Sequence, residues 1–187
     1  MNIAHIERHS YIYGPGCRFV IWTQGCSLGC KGCWNTAMWS FNPINLLTID
    51  EIYQQIRENK NNIEGITLLG GEPLQQFDET LQLVKRCKQA GLTTMLFTGY
   101  EWEEIEQNKM NSILDYLDIL ITGRYQKDKR TLNHQWIGST NQEIHFLTDI
   151  YQNYQIDNAN YVEITIDKFG KQEILGFPDN FYCKDSL

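Results

Sequence analysis

The stretch Gly65-Ile66-Thr67-Leu68-Leu69-Gly70-Gly71-Glu72-Pro73 decides how the rest of the chain is read. It begins as a short apolar run and closes on two glycines, an acid and a proline, which describes a buried strand running into a tight turn. A helix is expected next over about 77–90, with Phe77, Leu81 and Val84 on one side and Gly91 just past its end. The same order recurs on either side. Arg18 to Thr23 reads as a strand ended by Gly25. A helix over about 49–59 opens on the capping box Thr48-Ile49-Asp50-Glu51 and carries the stripe Ile49, Ile52 and Ile56. Leu92 to Phe97 is a further strand, 101–107 a short helix, Ile113 to Leu117 another, and Ile119 to Ile121 a strand reaching Gly123-Arg124.

This alternation predicts an α/β fold with a mostly parallel sheet covered by helices. About four such strands count out, too few for a closed eight-stranded barrel, which takes ~250 residues. An open, partial (β/α) barrel is the expectation. Before it, the opening residues form only a short apolar stretch that breaks at Gly14-Pro15-Gly16. After it, Tyr125 to Gln142 is polar and reads as a long surface loop, and Glu143 to Leu147 as a strand. Tyr161–Ile166 and Gln172–Phe177, joined at Lys168-Phe169-Gly170-Lys171, predict a small antiparallel appendage. One domain is expected, with a core at 1–150 and this appendage at 151–187.

Composition narrows the function. At 187 residues and 42% hydrophobic, the chain has enough core to need no disulfides. Its 16 basic and 23 acidic residues leave a charge of −7, which argues against nucleic acid as a partner. No run approaches ~18 apolar residues and no apolar segment follows a basic start, so neither membrane nor export is expected, and the cytoplasm is.

Six cysteines are present: Cys17, Cys26, Cys30, Cys33, Cys87 and Cys183. Disulfide frameworks spread their cysteines to close useful loops, whereas Cys26, Cys30 and Cys33 fall together in the spacing C-x3-C-x2-C. Three thiolates on a glycine-bearing loop suit three irons of a [4Fe–4S] cube, with the fourth iron free of protein ligands. Zinc remains an alternative if Cys17 or a histidine supplies a fourth ligand. Cys87 sits among apolar helix residues and reads as a small buried side chain, and Cys183 as a free tail thiol.

The segments GPGCRFVIWTQGCSLGCKGCWN at 14–35, GGEP at 70–73, TGY at 98–100, DILITGR at 118–124 and GSTNQ at 138–142 together resemble the radical S-adenosylmethionine superfamily. Within it, the resemblance is to the small activating proteins of anaerobic ribonucleotide reductases, over nearly the whole chain. It implies that Cys26, Cys30 and Cys33 ligate the cluster. S-adenosylmethionine would fill the open iron, with its amino group beside Gly70, Gly71, Glu72 and Pro73. Asn35 and Thr98 are further cofactor contacts under the same reading. The implied reaction is reductive cleavage of S-adenosylmethionine, followed by hydrogen abstraction from a glycine of a large glycyl-radical partner under anaerobic conditions. A flavodoxin-like protein or another one-electron donor would supply the electron.

The chain departs from the family pattern in three places. Thr122 stands where an aspartate is common, no arginine precedes Gly138-Ser139 closely, and Cys17 replaces an aliphatic residue. None touches the three cysteines or the GGEP turn. The alternatives are a radical enzyme acting on a small molecule or peptide, and a non-catalytic iron–sulfur protein. The basic run Lys127 to Arg130 is expected to be solvated or to help a partner dock.

Overall fold

The computed structural model describes residues 1–166 and 168–178. Strands β1 (Ile3–Ser10), β2 (Arg18–Thr23), β3 (Gly65–Gly70), β4 (Thr93–Phe97), β5 (Ile119–Thr122) and β6 (Glu143–Phe146) form one sheet in that spatial order. β2 to β5 pair in parallel, and β1 and β6 add antiparallel edges. Helices α1 (Ile49–Asn59), α2 (Phe77–Gln89) and α3 (Trp102–Gln107) lie in the connections, and β7 (Val162–Ile166) pairs with β8 (Gln172–Gly176) as a separate hairpin. This is the expected open, mostly parallel α/β arrangement with its C-terminal appendage.

β2 is buried at every position because both faces of the sheet are covered. Phe19 and Ile21 of β2, Ile66 and Leu68 of β3, Leu96 and Leu120 face the helices and meet Ile52, Ile56, Leu83, Val84 and Cys87. The alternate residues Val20, Trp22 and Leu69 face the other way, where Leu175 of β8 covers them. Met95, Ile119 and Ile121 share that face with Ile137 and Tyr151. The capping box of α1 forms as expected, with Glu51 N–H on Thr48 Oγ1 at 3.2 Å and Thr48 N–H on Glu51 Oε2 at 2.7 Å. Among the described residues, no helix is long and apolar enough to cross a membrane.

Three expectations need correction. The opening stretch is an eight-residue edge strand; its mixed polar and apolar order hid it, and two register breaks against β2 accommodate that order. The short helix expected over Ile113 to Leu117 runs instead over Asn111–Tyr116, as a 3-10 helix that buries Ile113. Residues 125–142 are not a surface loop throughout: Gln135, Ile137 and Ser139 are buried. Their polar groups are met internally, with Gln126 N–H on Ser139 Oγ at 3.1 Å and Gln135 N–H on the Asp157 carbonyl at 3.1 Å. Cys87 is buried as expected, and Cys183 lies outside the described residues.

Candidate active site

The four parallel strands end at one edge of the sheet, where α/β folds bind ligands. β2 passes through Gln24 and Gly25 into the cysteine loop, β3 into Gly71-Glu72-Pro73, β4 into Thr98-Gly99, and β5 into Gly123-Arg124. The cysteine loop is closed at its base, since Gly25 N–H donates to the Met38 carbonyl at 2.9 Å and Cys26 N–H to that of Trp39 at 3.1 Å. Gln75 pins it from the side. Its Oε1 accepts from Ser27 N–H at 3.0 Å, and its Nε2 donates to Ser27 Oγ at 2.7 Å. Nothing in the sequence pattern singled out Gln75, although its place two residues after the GGEP turn was the available signal.

Burial pushes the thiols of Cys26 and Cys30 up, and the Cys33 sulfur adds to the effect on Cys30. The amides of Leu28 and Gly29 work against this at Cys26, as do the Tyr125 amide and the Arg124 guanidinium at Cys30. Arg124 is itself held by both oxygens of Glu104, at 2.5 and 2.9 Å. The three cysteines therefore share one electrostatic neighbourhood. Among the described residues, no three Cys, His, Asp or Glu side chains converge closely enough to hold a single ion. A cube places each thiolate on a different iron, whereas zinc gathers every ligand within ~2.3 Å of one centre. Cys17 cannot act as a fourth ligand, because it precedes β2 while the loop follows it, six extended residues or roughly 20 Å away. The donor set fits the cube.

The two glycines of the turn have a packing reason. A side chain on Gly70, whose φ is +112°, would meet the Thr23 backbone nitrogen at 2.6 Å, and one on Gly71 would meet the Gly25 carbonyl at 2.4 Å. Without side chains, Gly71 N–H reaches the Thr23 carbonyl at 2.8 Å and Glu72 N–H the Gly25 carbonyl at 2.9 Å. The turn is thus bonded directly to the base of the cysteine loop. Glu72 is 1% exposed and turned inward. Its Oε1 accepts from Thr98 Oγ1 at 2.8 Å and from Leu74 N–H at 3.0 Å, and its Oε2 from Gly99 N–H at 2.8 Å. Desolvation still pushes its carboxyl up to about 7 against those donors.

Asn35, Gly70, Gly71 and Thr98 line one crevice of about 170 Å³, together with Gly99, Gly123 and Gln142. Glu72 and Pro73 are buried and are not among the residues that line it. The side chain of Asn35 makes no capping bond in the turn it begins, which leaves its amide to the crevice. An adjoining cavity of about 200 Å³ shares Asn35, Leu69, Phe97, Tyr125 and Gln142 with the crevice and is walled by aromatic side chains.

Residues 12–145 match the family model described as a 4Fe-4S single cluster domain. The chain is 35% identical over 154 residues to the anaerobic ribonucleoside-triphosphate reductase-activating protein of Enterobacteria phage T4, covering 80% of this chain and 96% of that one. The activating protein of Escherichia coli K12 is 31% identical over 154 residues, covering 79% and 99%, and that of Haemophilus influenzae 34% over 155 residues, covering 78% and 97%. The chain belongs to this family of activating proteins. As a member it is a radical S-adenosylmethionine enzyme whose cofactors are a [4Fe–4S] cluster and S-adenosylmethionine. The crystal structure of QueE from Escherichia coli overlays 52% of each chain at a TM-score of 0.39 and 18% identity. The family model stops short of β7, and about a fifth of the chain lies outside the matches to these activating proteins.

Proposed function

We propose that this enzyme cleaves S-adenosylmethionine reductively to place a radical on a glycine of an anaerobic ribonucleotide reductase. The observation that carries the choice of substrate is the cavity beside the crevice: among the described residues, none that lines it carries a charge. A phosphorylated or carboxylated small molecule would need a cationic partner there, whereas a peptide backbone needs only neutral donors and acceptors. Side-chain amides of Asn35, Gln135 and Gln142 stand among the aromatic walls to supply them.

Cys26, Cys30 and Cys33 hold the cluster in this reading, with Gly70, Gly71, Thr98 and Asn35 along the cofactor's bed. Held there, the cluster and S-adenosylmethionine would supply the one-electron reductive chemistry by which a hydrogen atom is removed from the substrate. Glu72 acts as the positioning group. It ties the turn after β3 to the end of β4, so that the Gly70 and Gly71 carbonyls and the Thr98 backbone keep one spacing for an ammonium group. Pro73 starts the short turn that fixes the direction of this loop. The enzyme would work in the anaerobic cytoplasm with a flavodoxin-like or other one-electron donor. Its charge of −7 supports a role without nucleic acid.

The test is electron paramagnetic resonance of the reductase after anaerobic incubation with this enzyme, a reductant and S-adenosylmethionine. A glycyl-radical signal that needs all three is expected. Cleavage of the cofactor with no radical on the reductase would overturn the assignment of substrate.

A further inference from the structure

The cysteine loop borders a second opening. A surface cleft of about 300 Å³ is lined by Cys30, Lys31, Arg124, Lys127 and Asp128. Among the described residues it shares only Tyr125 with the crevice and with the uncharged cavity. The 3-10 turn Lys127–Lys129 brings cations to the loop from outside it. Gly32, between Cys30 and Cys33, has a φ of +78°, and a side chain there would meet Lys127 Cδ at 2.8 Å. The Lys127 stem therefore lies against the loop, while the residue as a whole stays exposed. Arg130 sets its guanidinium 5.7 Å from the centre of the Trp34 ring, beside Cys33. Lys31 and Lys129 are exposed as well. Arg124 is paired with Glu104, but among the described residues Lys31, Lys127, Lys129 and Arg130 form no salt bridge. Asp128 is the one acid in that run. Like charges gathered without partners repel one another, and an anionic partner would relieve that repulsion.

We infer that this cationic face, built by Lys31, Lys127, Lys129 and Arg130, is the docking surface of an acidic one-electron donor protein seated over the Cys30 side of the loop. The inference rests on the reading that Cys26, Cys30 and Cys33 hold the cluster, and it deepens that reading by naming the side from which the electron enters. Electron transfer weakens steeply with distance, so a donor has to come up against a cluster ligand, and Cys30 lines the cleft. One electron leaves the donor and one enters the cluster, with no bond made or broken. The crevice and the cavity beyond Tyr125 stay free for S-adenosylmethionine and the substrate. The rest of a chain of net charge −7 repels an acidic protein, so the patch also orients the encounter.

The test follows bleaching of the cluster by stopped flow when the full-length, cluster-loaded enzyme meets an acidic flavodoxin in its hydroquinone form, with iron per chain recorded for every variant. For the wild type the second-order rate constant should fall steeply between about 20 and about 300 mM ionic strength, as the screening length shrinks from roughly 20 Å to roughly 6 Å. Lys31→Gln, Lys127→Gln and Lys129→Gln combined should lower it about tenfold or more at the lower ionic strength and flatten its salt dependence. Affinity for oxidised flavodoxin, read by calorimetry, should fall in parallel. Lys129→Glu, which alters neither the loop nor the Gly32 contact, should act in the same direction by less. Arg57→Gln, Lys60→Gln and Lys85→Gln combined remove equal charge from the helices on the other face of the sheet and should change the rate constant less than about twofold. Photoreduced deazaflavin, a small uncharged reductant, should reduce the wild type and the patch variants equally fast. Equal rate constants and salt dependence in the wild type and the patch variants overturn the inference while the cluster reading stands. Equal slowing by the control variant overturns it too, and so does a wild-type cluster that deazaflavin reduces and flavodoxin does not. If the wild type holds no iron after anaerobic reconstitution, the cluster reading falls and the inference falls with it.

Discussion

The hydroxyl of Thr98, at the end of β4, donates to Glu72 Oε1 at 2.8 Å across the mouth of the sheet. With the Gly99 and Leu74 amides it saturates most of a carboxylate that is only 1% exposed. The bond couples two loops that line one crevice, so under the proposed placement of the cofactor a change at Glu72 would reach it through geometry. Glu72→Ala is expected to weaken S-adenosylmethionine binding about 10- to 100-fold, the usual cost of removing a group that orients a binding shell, while iron per chain stays near the wild-type value. Calorimetric titration of the reconstituted protein would check it. Unchanged affinity would show that the brace is dispensable.

The same carboxylate makes stability depend on pH. Its folded value of about 7 lies above the ordinary 4.5, so the folded chain holds this proton more tightly than the unfolded chain. The stabilisation is full below pH 4.5 and is lost as pH rises through about 7, by roughly 3 kcal/mol. Glu72→Gln removes the titration and keeps the acceptor at one oxygen. Urea midpoints at pH 5 and pH 8 should fall further for the wild type than for this variant. Equal falls would show that Glu72 is ionised at both pH values.

If Cys26, Cys30 and Cys33 are the proposed ligand set, replacing any one of them by alanine leaves two thiolates for the cube. Each variant should lose most of its iron on anaerobic reconstitution and its [4Fe–4S]⁺ resonance after reduction. Cys17→Ala should retain both, because β2 separates that residue from the loop. Iron retained in all three loop variants would exclude them as the ligand set.

The parts of this site that repeat a local rule were legible in the chain: the cysteine spacing, the strand that ends in Gly70-Gly71, and the Thr48 capping box. What stayed hidden depends on partners distant in sequence. Gln75 is an ordinary polar residue until Ser27 is brought beside it, 48 positions away. Gln135 and Ser139 look solvated because burying them requires hydrogen bonds that composition does not reveal. Arg18 is the extreme case. It is fully buried and forms no salt bridge among the described residues, donating to Thr67 Oγ1 at 2.6 Å and to the Ile66 carbonyl at 2.5 Å. The inward turn of Glu72 belongs to the same class, since an acid in a glycine turn looks free until Thr98 and Gly99 arrive from the next strand.

Gly71 gives the sharpest test of the link between the turn and the cysteine loop. A methyl group there would stand 2.4 Å from the Gly25 carbonyl oxygen and 3.0 Å from the Gly25 nitrogen, both backbone atoms that cannot swing away. Relief requires the turn to move off the loop's base, breaking the bonds from Gly71 N–H to Thr23 and from Glu72 N–H to Gly25. Two lost hydrogen bonds at ~1 kcal/mol each, with backbone strain added, set the expected destabilisation at about 2–4 kcal/mol. Gly71→Ala should therefore lower the denaturation midpoint, reconstitute with less iron and bind S-adenosylmethionine more weakly, all at once. Gly91→Ala serves as the control. That glycine follows α2 at a φ of +79° with open space around it, so its variant carries backbone strain but no clash. It should lose some stability and keep both cofactors. If Gly71→Ala lost stability while cluster content and cofactor affinity were unchanged, the turn and the loop would be independent, and the coupling argued from these contacts would be wrong.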